Sequence, residues 1–111
     1  MTQHIAPNAD HTALINVFTA APEDRDRLVA LLKAGTDEWI SKVPGFIGSS
    51  LHLARDDRRV VVYGQWRSAD AIAAMREHPA MPAYAERVRA LAQMESIVCD
   101  VAATFAGAVA A

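Results

Sequence analysis

Residues 46–66 read FIGSSLHLARDDRRVVVYGQW and decide the fold, because they hold two apolar runs separated by a charged segment. The runs 46–54 and 59–66 are rich in β-branched and aromatic side chains, which is typical of strands. The intervening residues 55–58, Arg-Asp-Asp-Arg, suit a solvent-exposed turn. The centre of the chain is therefore predicted to be a β-hairpin.

The segment before the hairpin predicts a strand followed by a helix. Residues 12–19, TALINVFT, are dense in β-branched and aromatic residues. Pro22 and the two acidic residues after it suit the first turn of a helix, where proline is tolerated and acids favour the dipole. Apolar residues then recur at helical spacing as far as Trp39, and the Val-Pro-Gly sequence at 43–45 ends the helix.

The segment after the hairpin predicts two helices and a last strand. Ser68 can cap a short helix that runs to about residue 77, and Pro82 opens a second helix that runs to about residue 93. Residues 96–105 alternate as a final strand. This order of elements predicts an α+β, ferredoxin-like antiparallel sheet with helices on one face and the first and third strands at its centre.

The first strand also predicts a homodimer, because both of its faces are apolar. Leu14 and Phe18 lie on one face, and Ala13, Ile15 and Val17 lie on the other. A strand with one face in water should carry polar residues on that face. Since the helices cover a single face, a second copy of the sheet is the simplest cover for the other.

Composition excludes several classes of protein. The chain has 111 residues and a net charge of −2 without a basic stripe, which argues against nucleic acid and anionic membranes as partners. Cys99 is its single cysteine, so an internal disulfide or thiolate cluster is excluded, and the four histidines lack the spacing of metal ligands. We therefore predict no metal site.

The two ends of the chain lie outside the predicted domain. Residues 1–11 are polar and lack the pattern of a signal peptide, and the small apolar run at 102–111 is too short to span a bilayer. We predict a flexible lead at 1–11, one domain at 12–106, a tail at 107–111 and a cytoplasmic location.

Asn16 and Trp66 are the first candidates for chemistry. Asn16 is a lone amide in an apolar strand, either a satisfied core group or a hydrogen-bond donor aimed at a ligand. Trp66 shares a strand face with Val62 and Gly64, and is either core or part of a cavity wall. Gly64 leaves space on that face for a ligand. If the two strands are neighbours, Asn16 and Trp66 face the same cavity.

Other polar residues are open to two interpretations. His52 could transfer protons or could be a neutral structural histidine. Glu86, Arg87 and Arg89 in the last helix are expected to form a solvated face.

Several short segments resemble the antibiotic biosynthesis monooxygenase family of dimeric α+β barrels. They are INVF at 15–18, EW at 38–39, VPGF at 43–46, LH at 51–52 and, above all, VVVYGQWRS at 60–68. The resemblance extends over residues 13–105. It implies that two protomers form a dimeric α+β barrel, and that the protein belongs among cofactor-free oxygenases that convert anthrones or dihydroquinones to quinones with dioxygen.

The resemblance also implies a site. Asn16 and Trp66 match two positions that act on the substrate, with His52 as a weaker candidate for proton transfer. The sequence departs from the family where Val62 replaces a second amide, and where Leu51 and Ile72 replace tyrosines found in some members. The residues predicted to contact substrate are Phe18, Leu32, Trp39, Leu51, Val62, Gly64, Ile72 and Met75.

Three functions are compatible with these residues. The first is a cofactor-independent monooxygenase that oxidises a small aromatic polyketide in antibiotic biosynthesis. The second is a cyclase or isomerase with the same cavity, which the loss of an amide at Val62 favours. The third is a non-catalytic dimer that binds a small molecule. Haem oxygenation is disfavoured, because Met75 lies where haem-degrading relatives of the fold carry a tryptophan, and Tyr84-Ala85 lies near the position of their histidine.

Overall fold

The computed structural model describes residues 11–108, which form a four-stranded antiparallel sheet with three helices. The elements in chain order are β1 (Thr12–Ala20), α1 (Arg25–Glu38), β2 (Phe46–Leu53), β3 (Arg59–Trp66), α2 (Ala69–Arg76), α3 (Met81–Leu91) and β4 (Ala92–Asp100). Short 3-10 turns, Pro22–Asp24 and Ile40–Lys42, flank α1. The strand order is β2-β3-β1-β4, which confirms the predicted ferredoxin-like α+β fold with β1 and β3 at its centre.

The core lies on one face of the sheet, in two apolar clusters. The first cluster packs Phe18 and Val60 of the sheet against Leu28 of α1 and Val88 of α3. The second packs Leu14 and Trp66 against Val43 and against Ile72 and Met75 of α2. The three helices thus share one face, as the alternation of the strands predicts.

Local chemistry accounts for the start of α2. The Ser68 side chain accepts a hydrogen bond from the backbone N–H of Ala71 at 3.1 Å, and Asp70 lies in the first turn. The predicted cap is therefore present.

The last strand differs from its prediction. It starts at Ala92 and ends at Asp100, whereas the alternation of the sequence predicts residues 96–105, with α3 continuing to 93. The physical reason is pairing with β1, in which Ala20 lies opposite Ala92 and Thr12 lies opposite Asp100. The nine residues of β1 set the length of β4, and this pairing overrides the helix propensity of residues 92–94.

Candidate active site

A cavity of about 800 Å³ lies between the sheet and the helices. Its lining is mostly apolar and draws on both core clusters, with Phe18 and Leu32 from the first, and Leu14 and Met75 from the second. The volume is within the range of about 300–1,000 Å³ that is typical of small-molecule sites. A mostly apolar small molecule fits a site of this size and character.

Asn16 lines the cavity from the middle of β1. Its Oδ1 atom is buried and has no hydrogen-bond partner among the described residues. Its two cross-strand neighbours on this face are Val62 on β3, which has no polar group, and Ser96 on β4, which accepts a hydrogen bond from Arg76. Because the terminal torsion of asparagine is roughly two-fold, a half turn of this amide presents its nitrogen to a ligand in place of its oxygen. Asn16 therefore has unused hydrogen-bonding capacity beside the cavity.

Trp66 forms another part of the wall and is 2% exposed. Its indole makes an edge-to-face contact with Phe46, with ring centroids 5.2 Å apart. Gly64 makes room for the indole, because a Cβ at position 64 would lie 3.2 Å from Nε1 of Trp66. The edge of the Trp66 indole therefore fills part of the space beside Gly64, and the cavity takes the rest. No residue of the described range accepts a hydrogen bond from this N–H, so it is available to a ligand.

Tyr84 of α3 lines the cavity from the helical side and was not predicted from the sequence as a site residue. Its ring meets Trp39 edge to face, with centroids 5.6 Å apart, and Trp39 stacks on His78 at 4.6 Å. Gly35 of α1 leaves the space that the Tyr84 ring occupies. Burial raises the pKa of Tyr84 to about 12, so its phenol stays protonated at neutral pH and can donate a hydrogen bond.

The mouth of the cavity carries the charged residues of the lining, Arg76 at the end of α2 and Arg89 at the end of α3. Both side chains are exposed. Nη2 of Arg76 donates to Oγ of Ser96 on β4 at 3.2 Å. Sequence reasoning places Arg89 on a solvated face, and its position over the cavity emerges only when α3 packs against the sheet.

Five of the predicted substrate-contacting residues line the cavity. They are Phe18, Leu32, Val62, Gly64 and Met75. Trp39, Leu51 and Ile72 are not part of the lining and pack in or against the core clusters instead. Ile72 belongs to the second core cluster and is 1% exposed.

The structure also corrects the prediction that His52 serves this cavity. His52 lies opposite Val61 and therefore on the sheet face that points away from the helices. Its Nε2 lies 2.8 Å from Oγ of Ser50 on the same exposed face. A proton transferred at His52 would thus leave from the opposite side of the sheet from Asn16.

Two further properties bear on the class of protein. Within residues 11–108, no group of three or more histidine, cysteine or acidic side chains is placed to hold a metal ion. No helix in this range has the length and apolar character needed to cross a membrane.

Comparison with known proteins agrees with this architecture. The chain is 36% identical over 101 residues to tetracenomycin-F1 monooxygenase of Streptomyces glaucescens, which covers 91% of this chain and 90% of that protein. SnoaB, a cofactor-independent oxygenase from Streptomyces nogalater, superposes with a TM-score of 0.73 at 27% identity over 86% of this chain and 97% of SnoaB.

A monooxygenase from the gene ActVA-Orf6 of Streptomyces coelicolor, in complex with the ligand nanaomycin D, has the same fold. Its TM-score is 0.75 at 24% identity, over 88% of this chain and 92% of that one. Residues 12–87 match the family model described as antibiotic biosynthesis monooxygenase. With its fold and these matches, the chain belongs to the antibiotic biosynthesis monooxygenase family and is a monooxygenase.

Proposed function

We propose that this protein is a cofactor-independent monooxygenase that oxidises an anthrone to a quinone with dioxygen. The observation that carries the proposal is the unpaired amide of Asn16 beside a mostly apolar cavity. A buried polar group without a partner is costly, and such groups persist where a ligand completes them. A phenolic or carbonyl oxygen on a planar aromatic body is the complementary ligand.

The reaction needs little chemistry from the protein. An ionised phenol or enol of the substrate is electron-rich and reduces dioxygen directly. In an anthrone, the ring methylene becomes a carbonyl that holds one oxygen atom, and the second oxygen atom leaves as water with the two methylene hydrogens. The enzyme contributes a dry cavity, a fixed orientation and hydrogen bonds to the developing negative charge.

We assign the roles of the side chains from their positions. Asn16 hydrogen-bonds the reacting oxygen of the substrate. Trp66 walls the cavity and donates through its indole N–H, whose path is open because Gly64 carries no side chain. Tyr84, protonated across the physiological range, supplies a third donor from the helical side.

The relatives support this choice of reaction over others of the same fold. Tetracenomycin-F1 monooxygenase is named for an oxygenation, and SnoaB is described as needing no cofactor. The substrate of this chain and its independence from cofactors are carried over from them as part of the proposal.

We propose in addition that the protein is a homodimer. The sheet face opposite the helices carries an apolar row across three strands, with Tyr63, Ile15 and Ile97 side by side. Ile97 is 45% exposed in the protomer. A second sheet packed face to face buries this row and makes the dimeric barrel.

Labelled dioxygen tests the proposed reaction. Metal-free protein is given an anthrone under ¹⁸O₂, and the quinone is analysed by mass spectrometry. We expect one labelled oxygen in the quinone, formed at an enzyme-dependent rate that Thr19→Val preserves, because Thr19 is exposed and outside the cavity. Enzyme-dependent conversion of the substrate to a non-oxidised product without oxygen would identify a cyclase or isomerase. Binding without any turnover would identify a non-catalytic protein.

A further inference from the structure

The charged residues in the described lining of the cavity are all positive, although the protein as a whole is acidic. The chain has 13 acidic and 11 basic residues, excluding histidine. The described lining contains Arg76 and Arg89 and no aspartate, glutamate or lysine. A low-dielectric cavity strengthens the field of these two cations at its mouth.

Neither arginine is neutralised by the described part of the protein. Within residues 11–108, no carboxylate lies within ion-pair distance of either guanidinium. The nearest acids in sequence are Glu77, next to Arg76, and Glu86, one turn before Arg89, and neither forms an ion pair within that range. Both cations are therefore free to bind an anion.

Arg76 is also held in place. Its Nη2 donates to Oγ of Ser96 at 3.2 Å, which ties the end of α2 to β4. Ser96 lies directly opposite Asn16 in the register of β1 and β4. A ligand that is hydrogen-bonded to Asn16 therefore lies close to the Arg76 guanidinium, which is on the solvent-exposed side of the cavity.

We propose that Arg76 and Arg89 recognise a carboxylate on the aromatic substrate, and so select an acidic aromatic over a neutral one. A guanidinium matches a carboxylate geometrically and binds it through paired hydrogen bonds. The aromatic body fills the apolar interior while its carboxylate stays at the exposed mouth, where little desolvation is needed. This inference deepens the proposed function, and rests on it for the aromatic nature of the substrate.

A binding experiment tests the inference without turnover. Two anthraquinones that differ only by a carboxylate on an outer ring are titrated into the full-length protein, and quenching of the tryptophan fluorescence is followed. Of the two tryptophans, Trp66 lies in the cavity wall and Trp39 contacts Tyr84 of the lining, so both report on the cavity. The variants are Arg76→Gln, Arg89→Gln and the matched control Arg87→Gln, an exposed α3 residue outside the cavity lining.

We expect the wild-type protein to prefer the carboxylated quinone. Each of Arg76→Gln and Arg89→Gln should reduce that preference about threefold to fivefold, as for partly exposed ion pairs. The affinity of all variants for the neutral quinone should stay unchanged. Arg87→Gln should keep the wild-type preference for the carboxylated quinone. The preference should also shrink as salt is added.

Three outcomes would overturn the inference. They are equal affinity for the two quinones, a carboxylate preference that survives loss of both arginines, and failure of either quinone to bind. The proposed oxidation is tested separately by oxygen incorporation. A protein that prefers the carboxylate but oxidises nothing would refute the proposed function and leave this inference standing.

Discussion

At the scale of single residues, the pairing of Asn16 with Val62 gives the cavity its unused amide. An amide at position 62 would lie beside Asn16 on the same sheet face and could hydrogen-bond with it. Valine cannot, and the Ser96 hydroxyl on the other side is not hydrogen-bonded to Asn16 either, so the Asn16 oxygen is buried without a partner among the described residues. An unpaired buried polar atom destabilises the free protein and is completed when a ligand binds.

Replacement of Asn16 should therefore separate activity from stability. We expect Asn16→Leu to lower kcat by about a hundredfold, as for loss of a preorganised hydrogen bond to developing charge. Tm should stay level or rise, because the nearly isosteric leucine removes an unpaired polar group. The control is Thr19→Val, a polar-to-apolar change on the same strand outside the cavity. A fall in Tm with unchanged kcat would show that Asn16 is structural.

Sequence reasoning identifies the site residues of the two central strands, and also Leu32 and Met75 on helices. Alternation places Asn16, Val62 and Trp66 on one face, and the structure brings all three to the cavity. His52 lies on the opposite face, because a bulge between Phe46 and Gly48 and the register of β2 decide which of its residues face the helices. Arg76, Arg89 and Tyr84 were not identified, since polar residues of a helix are expected to face solvent and only tertiary packing brings these three to the cavity.

At the scale of elements, close approach of α1 and α3 sets the shape of the cavity. Gly35 is buried in α1 and faces Tyr84 of α3. A Cβ at position 35 would overlap the edge of the Tyr84 ring. The glycine thus lets the two helices approach closely and fixes a ring that lines the cavity.

Gly35→Ala should consequently destabilise the protein. Overpacking costs about 1–3 kcal/mol, against a gain of about 1 kcal/mol from alanine in a helix, so Tm should fall by several degrees, roughly 5–10 °C. Thermal unfolding followed by circular dichroism measures the change. Gly107→Ala is the matched control, because a Cβ at position 107 meets no described atom within 4 Å. Equal Tm values for Gly35→Ala and wild type would show that the helices do not need this contact.

The hairpin turn should make stability depend on pH. The backbone N–H groups of Arg59 and Arg58 donate to Asp56, and with the Arg59 side chain they hold its pKa well below the usual value. The folded state therefore favours the charged Asp56 carboxylate, and its hydrogen bonds stabilise the fold above the unfolded pKa of about 3.9. That stabilisation is lost as pH falls through the lower pKa of the folded state.

Asp56→Asn should accordingly lower Tm near neutral pH, and the gap from wild type should narrow as pH falls from about 5 toward 3. Asp37→Asn is the control, because the Asp37 side chain is exposed and forms no hydrogen bond or ion pair with any residue in 11–108. A gap that widens in acid would contradict the role of Asp56.

Element boundaries show where prediction from sequence ends. The third strand is predicted at its observed residues, 59–66, because the charged turn and the Gln-Trp end mark it clearly. The fourth is displaced by four residues at its start, because helix-forming residues at 92–94 are drawn into the sheet by pairing with β1. Local propensity cannot reveal such pairing.

At the scale of the whole molecule, the two faces of the sheet have different tasks. One face carries the helices, the core and the cavity. The other carries Ile15, Val17, Val61 and Tyr63, which are half-buried, and Ile97, which is exposed. The sequence predicts this second apolar face from β1 alone, and the register extends it over β3 and β4.

A charge on that second face should weaken the proposed dimer. We expect wild-type protein to sediment as a dimer and Ile97→Lys to shift toward monomer, since a lysine in an apolar interface is left unpaired and desolvated. Leu53→Lys is the control, because Leu53 is 54% exposed but lies on the helical face of the sheet. Sedimentation velocity measures both, and a monomeric wild-type protein would contradict the proposal.

In the proposed mechanism, the substrate itself reduces dioxygen in a site that contains Asn16 and Trp66. Dioxygen uptake tests this mechanism most directly. Chelator-treated protein is given the anthrone dithranol, beside the double variant Asn16→Ala, Trp66→Ala. We predict uptake equimolar with quinone formation in the wild-type protein, and uptake no faster than autoxidation in the double variant. Equal uptake by both proteins, or wild-type activity that appears only when a metal ion or flavin is added, would contradict this mechanism.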